Sequence, residues 1–234
     1  MGWPNNFVQG VYNALGSLIG VYDGAGGQIG LTPTYTWATK PLASAYTGRA
    51  FISDVGGGSI WISNGTRWRP EGGRVTLLSL NASVTATFGA EAIFSGTSLL
   101  LPAGLFQNYD KLRVTGTLGK SAAVETASQK FKLGTLGTIA DTTVLTQPTN
   151  VTGANQSSGF EMEFRRESAT SVRKIGNSLT THQYSGPTAA GVNAAVTVSD
   201  LDANATYFHY SNLSSAAVET YTLYDYNVEL ITGI

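Results

Sequence analysis

Glu161 and Glu163, two residues apart in the stretch GFEMEFRRES, are the pair of carboxylates best spaced for acid–base work on a glycosidic bond. The same stretch argues against that use. Phe160, Met162 and Phe164 alternate with Glu161, Glu163 and Arg165, the period of a half-buried strand, so both glutamates fall on its wet face, their charge partly balanced by Arg165 and Arg166. Asp200 and Asp202, in VSDLDANAT, read as a turn and would supply at most part of a calcium site. His182 and His209 are the only histidines. His209 sits in the aromatic TYFHYS, where a packed or hydrogen-bonded core imidazole is expected, and His182 precedes a Gly-Pro turn. A Ser-His-Asp arrangement would have to recruit one of them, and no G-x-S-x-G elbow accompanies either. The glycine-rich DGAGGQIG and VGGGS do not continue into G-K-[ST] and read as turns rather than phosphate cradles. The absence of cysteine excludes disulfides, Fe–S clusters, Cys-ligated zinc and a thiol nucleophile. No catalytic, cofactor or metal-ligating residue is therefore assigned. The chain is expected not to be an enzyme, with a carbohydrate-active enzyme built on Glu161 and Glu163 as the distant alternative.

Binding chemistry has one candidate, GGGSIWISNGTRWRP at 56–70, which holds Trp61 and Trp68. Asn64-Gly65 is a strong hairpin signal, because both residues tolerate positive φ. A two-residue turn there would set Ser63 opposite Thr66, Ile62 opposite Arg67 and Trp61 opposite Trp68. The two indoles would then either fill the hairpin's own core or form an aromatic surface able to stack on sugar rings. Arg67, Arg69 and Arg74 nearby are too few for a nucleic-acid site, and 14 basic against 15 acidic residues leave no field to attract one. No apolar run approaches the length of a membrane span.

The elements that must position these residues are mostly strands. Charged residues are only 12% of the chain, about half the usual share, and the 28 glycines suit short strands and tight turns. At the start, Phe7, Val8, Val11, Leu15, Leu18 and Ile19 recur at helical spacing behind Asn5 and Asn6, predicting a short helix weakened by Gly10, Gly16 and Gly20. This apolar stripe either packs on its own domain or docks onto another subunit, an assembly anchor joined by the linker-like DGAGGQIGLTP. Residues 36–80 read as a small β-hairpin unit, with strands in GRAFISDV, SIWIS and TRWR, ended by Pro70. Residues 81–234 read as a β-sandwich of jelly-roll type with about eight strands. KLRVTGTLG sets Leu112, Val114 and Leu118 on one face, and the last strand spaces Val218, Tyr224, Tyr226, Val228 and Leu230 evenly. LPAGLF at 101–106 is expected to form a single helical turn or a tight corner. The predicted fold class is thus all-β: residues 1–35 a docking segment and linker, then the hairpin unit, then the sandwich.

One stretch also carries a resemblance. GRAFISDVGGGSIWISNGTRWRP, residues 48–70, resembles a module of tailed-bacteriophage structural proteins, in which a strand ending in D-x-G-G-G leads into a Trp-containing hairpin closed by S-N-G-T-R-W-R-P. As in such proteins, a β domain follows, with LPAGLF…YDKLRV and a final aromatic strand, YDYNVELI. The resemblance covers roughly residues 40–234 and carries over no catalytic residue. It implies a non-enzymatic virion protein assembled in the host cytoplasm, in keeping with the lack of Lys or Arg in MGWPNNFVQGVYNALG. It further implies a homo-oligomer, with a trimer favoured, held to other virion proteins through the N-terminal segment. The role it favours is a tail-fibre or receptor-binding appendage that meets a host surface glycan or protein. The alternative is a capsid decoration or head-fibre protein.

Overall fold

The computed structural model describes residues 9–12, 18–22, 32–87, 89–121, 127–148, 156–177, 195–214 and 220–233. Phe7, Val8, Leu15, DGAGGQIG, His182 and Val218 lie outside the described residues. The chain divides into two compact units, Met1–Glu71 and Gly72–Ile234. Among the described residues, helix is limited to two 3-10 turns, Ala43–Ala45 and Glu71–Gly73.

The N-terminal helix gives way to strands. β1 (Gln9–Tyr12) and β2 (Leu18–Tyr22) pair antiparallel, so Val11, Leu18 and Ile19 are strand residues. Val, Ile and Tyr favour extended backbone, and each glycine costs a helix about 1 kcal/mol relative to alanine, so the apolar spacing was outweighed by its own composition.

From residue 32 on, the first unit holds a four-stranded sheet, β3 (Thr34–Tyr35), β4 (Thr47–Ile52), β5 (Ser59–Asn64) and β6 (Trp68–Pro70), in that spatial order. β3 runs parallel to β4 and brings in Trp37, which meets Trp61 edge-on at 5.0 Å. Ala50, Ile52, Trp61, Ser63 and Trp68 are buried together on one face. The β5–β6 turn differs from expectation by two residues: Ser63 lies opposite Trp68 and Trp61 opposite Pro70. Asn64 does not occupy the turn's centre. Its side-chain oxygen accepts from the amides of Thr66 and Arg67, each at 3.0 Å, and moves the tight pair to Gly65-Thr66, where Gly65 takes φ 84°. A shift of two keeps the face of each side chain, so the indoles still share one side, diagonally rather than directly opposed.

The second unit begins with β7 (Arg74–Leu80), expected with the small unit but paired instead in a sheet of the sandwich. β8 (Val84–Thr87), β9 (Ala92–Ile93), β10 (Leu99–Leu101), β11 (Lys111–Lys120), β12 (Ala127–Gly134) and β13 (Thr142–Pro148) follow. β14 (Gln156–Ser168), β15 (Ser171–Asn177), β16 (Ala195–Thr197), β17 (Thr206–Ser214) and β18 (Thr220–Ile231) complete it. Pairing is antiparallel and nested. β7 and β8 join β18, β9 and β10 join β17, β11 joins β14, and β12 joins β13. A long ribbon paired in this way, then wrapped so that β11 also meets β18 and β12 also meets β17, is a jelly roll. One sheet runs β16-β15-β14-β11-β18-β7, and the other runs β10-β17-β12-β13.

Leu112, Val114, Leu118, Phe160, Met162 and Phe164 all point into the sandwich, as their alternation requires. Phe131 of the second sheet lies within 5.1–6.2 Å, centroid to centroid, of Phe160, Phe164, Phe208 and Tyr210. LPAGLF makes a corner, closed by the Leu105 amide on the Pro102 carbonyl at 3.1 Å. The last strand departs from even spacing at a single point. Tyr226, Val228, Leu230, Leu223 and Tyr221 are buried but Tyr224 is exposed, because a bulge in the β11–β18 ladder resets the alternation there.

Candidate functional site

Trp61 and Trp68 lie inside the small unit, 0% and 3% exposed, with Nε1 of each donating a hydrogen bond, to Ser59 Oγ at 2.8 Å and to the Pro41 carbonyl at 2.9 Å. Tyr46 stacks on Trp68 at 5.2 Å. Neither indole offers a face for a ligand within that unit.

Glu161 and Glu163 point outward from the larger sheet into a lattice of ions. Glu161 accepts from Arg113 Nε at 2.9 Å, Glu163 pairs with Lys111 at 3.3 Å, and Arg113 also approaches Glu229 at 3.8 Å. The Glu161 hydrogen bond is the main cause of a raised Arg113 pKa. Both carboxylates are thus engaged by cations. Asp200 caps its own turn by accepting from the amides of Asp202 and Ala203 at 2.9 and 3.1 Å. Asp202 pairs with Arg166, whose guanidinium is buried and also donates to the carbonyls of Phe106 and Ser168. Among the described residues no group of three His, Asp or Glu side chains could hold a metal ion.

The most concentrated chemistry lies on the outer side of the second sheet. Phe131 and Leu133 face inward from β12, so Lys130 and Lys132 face outward, and His209 and Ser211 of β17 do the same. Such residues are normally wet, yet Lys132, His209 and Ser211 are buried: the 135–141 loop meets Lys132 and His209, and Glu91 meets Ser211. Asp141 carries that loop: its carboxylate accepts from the amides of Leu136, Gly137 and Thr138 at 2.9, 2.8 and 3.2 Å. Lys132 Nζ supports it from below, donating to the Ile139 carbonyl at 2.7 Å and to Thr143 Oγ1 at 3.0 Å. Glu91 pairs with Lys130 at 2.6 Å and with Lys132 at 3.1 Å, and accepts from Ser211 Oγ at 3.0 Å. Burial would raise the Glu91 pKa, but the hydrogen bonds from Lys130, Lys132 and Ser211 outweigh it and hold it below the usual value.

His209 is buried and hydrogen-bonded as expected, but beneath the loop on the outer side of the sheet rather than in the sandwich core. Its Nε2 lies 3.1 Å from the Thr138 carbonyl, which fixes the proton on that nitrogen in the neutral ring, and 3.5 Å from Asp141 Oδ2. Burial lowers the pKa; Asp141 and the Thr138 hydrogen bond oppose the shift, and Lys132 adds to it. With two lysines and two carboxylates around it, the cluster is charge-balanced while His209 is neutral. No substrate reaches an imidazole with no exposed surface. What the cluster does is hold a loop whose outer residues, Leu136 and Ile139, are 63% and 46% exposed.

No family model matches this chain. No curated protein matches it. Among solved structures, it is similar to a chain of infectious bursal disease virus, Gx strain, at 11% identity with a TM-score of 0.32, covering 68% of this chain and 31% of that one. The Gt strain gives 13% identity and a TM-score of 0.30, over 66% and 32%. The CBM2 module of the evolved Dit of Lactobacillus casei BL23 phage J-1 gives 11% identity and a TM-score of 0.29, over 64% and 77%. The chain spans under a third of the length of the two viral chains. Overlap at these TM-scores does not define a shared fold. Among the described residues no helix is long and apolar enough to cross a membrane.

Proposed function

We propose that this chain is a non-enzymatic surface protein of a bacteriophage virion, a tail-fibre or receptor-binding type of appendage whose jelly-roll unit meets the host envelope. The observation that carries the reading is the joining, in one chain, of the GRAFISDVGGGSIWISNGTRWRP module to a jelly roll. Several features support it. The carboxylates best spaced for glycoside hydrolysis are tied up by Arg113 and Lys111. The chain's low charge suits a particle surface. In this proposal the chain is a homotrimer, anchored to other virion proteins through the segment that contains Val11, Leu18 and Ile19.

Gold-labelled antibody against residues 85–234, viewed on intact particles by electron microscopy, tests the placement. Label at the tail is the expected result. Label spread over the head would replace this reading with a capsid decoration or head-fibre protein, and unlabelled particles would end both. Light scattering on the purified chain is expected to give three times the monomer mass.

A further inference from the structure

Tyr224 is the residue that the β18 bulge turns outward. Thr117 lies opposite Asp225 and Leu118 opposite Leu223, so Tyr224 has no partner in the β11 ladder. Its neighbours Leu223 and Tyr226 are buried, whereas the Tyr224 side chain is 52% exposed on the outer face of the larger sheet. A strand bulge of this kind redirects a side chain, and recurs where a protein presents one to a ligand. The ring rests on Gly119 of β11: a Cβ there would lie 2.6 Å from Cε2, 3.1 Å from the hydroxyl and 3.2 Å from Cζ. Only glycine leaves room for the tyrosine to lie down against the sheet, with its other side to solvent.

The surroundings of the ring are hydroxyls. Thr85 and Thr222 pair at 3.1 Å across β8 and β18, and Thr87 and Thr220 pair at 3.2 Å one step further along. Ser157 of β14 stands opposite Gly119 on the other side. Thr117 donates to Asp225 Oδ2 at 3.1 Å, and Asp225 is the one charge among these residues. Of the cations on this face, Lys111, Arg113, Arg165 and Arg173 pair with Glu163, Glu161 and Glu167, and Arg74 stands at the far end of β18, opposite Ile231. Among the described residues, an anionic ligand such as a phosphate or a nucleic acid would therefore meet a carboxylate and no cation at the ring.

We infer that Tyr224, resting on Gly119 within a rim of Thr85, Thr117, Thr222 and Asp225, is a stacking platform for a neutral saccharide. A pyranose has an apolar face of C–H bonds and an equatorial belt of hydroxyls. The first matches a rigid aromatic face, and the second matches hydroxyl and carboxylate groups set around its edge. This inference rests on the proposed appendage role and names the class of receptor that it would take.

The test is a microarray of purified bacterial capsular and O-antigen polysaccharides, probed with the full chain carrying a fluorescent label. The wild type is expected to bind one or more neutral polysaccharides. Tyr224→Ala should lower apparent affinity for them by about tenfold or more, and Tyr224→Phe, which keeps the ring, by less than about threefold. Thermal melting of both variants, expected to match the wild type because the side chain is half exposed, separates lost binding from lost folding. Equal binding by wild type and Tyr224→Ala would overturn the platform, as would a wild type that binds no polysaccharide. The particle-labelling experiment keeps the two ideas apart. Tail label with no glycan bound refutes the platform and leaves the appendage role standing, whereas Tyr224-dependent binding with unlabelled particles supports the platform and removes the role.

Discussion

Asp141→Ala is the perturbation whose size the structure fixes best. The carboxylate holds three backbone amides of the 135–141 loop and is itself buried. A hydrogen bond to a charged group contributes about 1.5–3 kcal/mol net. The released amides belong to a loop with exposed side chains and regain water, so the lower figure applies to each, giving about 4–5 kcal/mol in all. Losing one of two carboxylates also leaves the cluster with excess positive charge, which pushes the cost up rather than down. For a unit the size of Gly72–Ile234, each kcal/mol lowers Tm by about 2–4 °C, so a fall of roughly 10–15 °C is expected. Asp141→Asn keeps one acceptor oxygen and should lose about half as much. Calorimetry reads the Tm, and hydrogen exchange at Leu136, Gly137 and Thr138 reads the loop directly. A Tm within about 2 °C of wild type, with those amides still protected, would refute the reasoning, since loop packing and not the carboxylate would then carry the loop.

Three further outcomes are expected. Burial depresses the folded-state pKa of His209 below 6.5, so the unfolded chain takes up that proton first; stability is full above about pH 6.5 and falls as the pH drops below it, and the slope between pH 7 and 5 should flatten in His209→Gln when melts are followed against pH. Asp202→Ala should destabilise by about 3 kcal/mol and more than Arg166→Met, although Asp202 is the more exposed partner (58% against 1%), because it leaves a buried guanidinium without its counter-ion; urea titration of the two variants compares them. Gly65→Ala, at φ 84°, should cost about 1–2 kcal/mol in the small unit. Trp37, Trp61 and Trp68 are buried in that unit and the sequence of Gly72–Ile234 holds no tryptophan, so the fluorescence midpoint in urea reports the small unit.

The β character and the faces of the long strands were legible in the sequence because period-two alternation is a local signal. Phe160, Met162 and Phe164 could hardly be read otherwise. The N-terminal stripe failed as a helix because apolar spacing of three and four was weighed above the β preference of Val, Ile and Tyr. The hairpin register failed because Asn64 can either form a turn or cap one, and only the pairing of the flanking strands decides which. Trp37 could not be assigned to the small core, since it arrives through a parallel pairing that leaves no short-range trace. The ionic cluster was invisible for the same reason. Glu91 is 39 residues from Lys130 and 120 from Ser211, and nothing in QKFKLG says that its two lysines will be roofed over. The Tyr224 bulge left a faint sign: Gly119, a residue with no side chain in a strand, at the place where a ring comes to lie.

The nested pairing has a consequence for how such a domain is inherited. Its first and last strands are hydrogen-bonded neighbours, and the Thr232 amide closes onto the Gly73 carbonyl at 2.9 Å. The polypeptide therefore enters and leaves this fold at a single spot. A gene segment bounded near those two codons encodes a closed body that can be cut from one carrier and spliced into another without reopening either sheet. Such a body is, in evolutionary terms, an exchangeable cartridge.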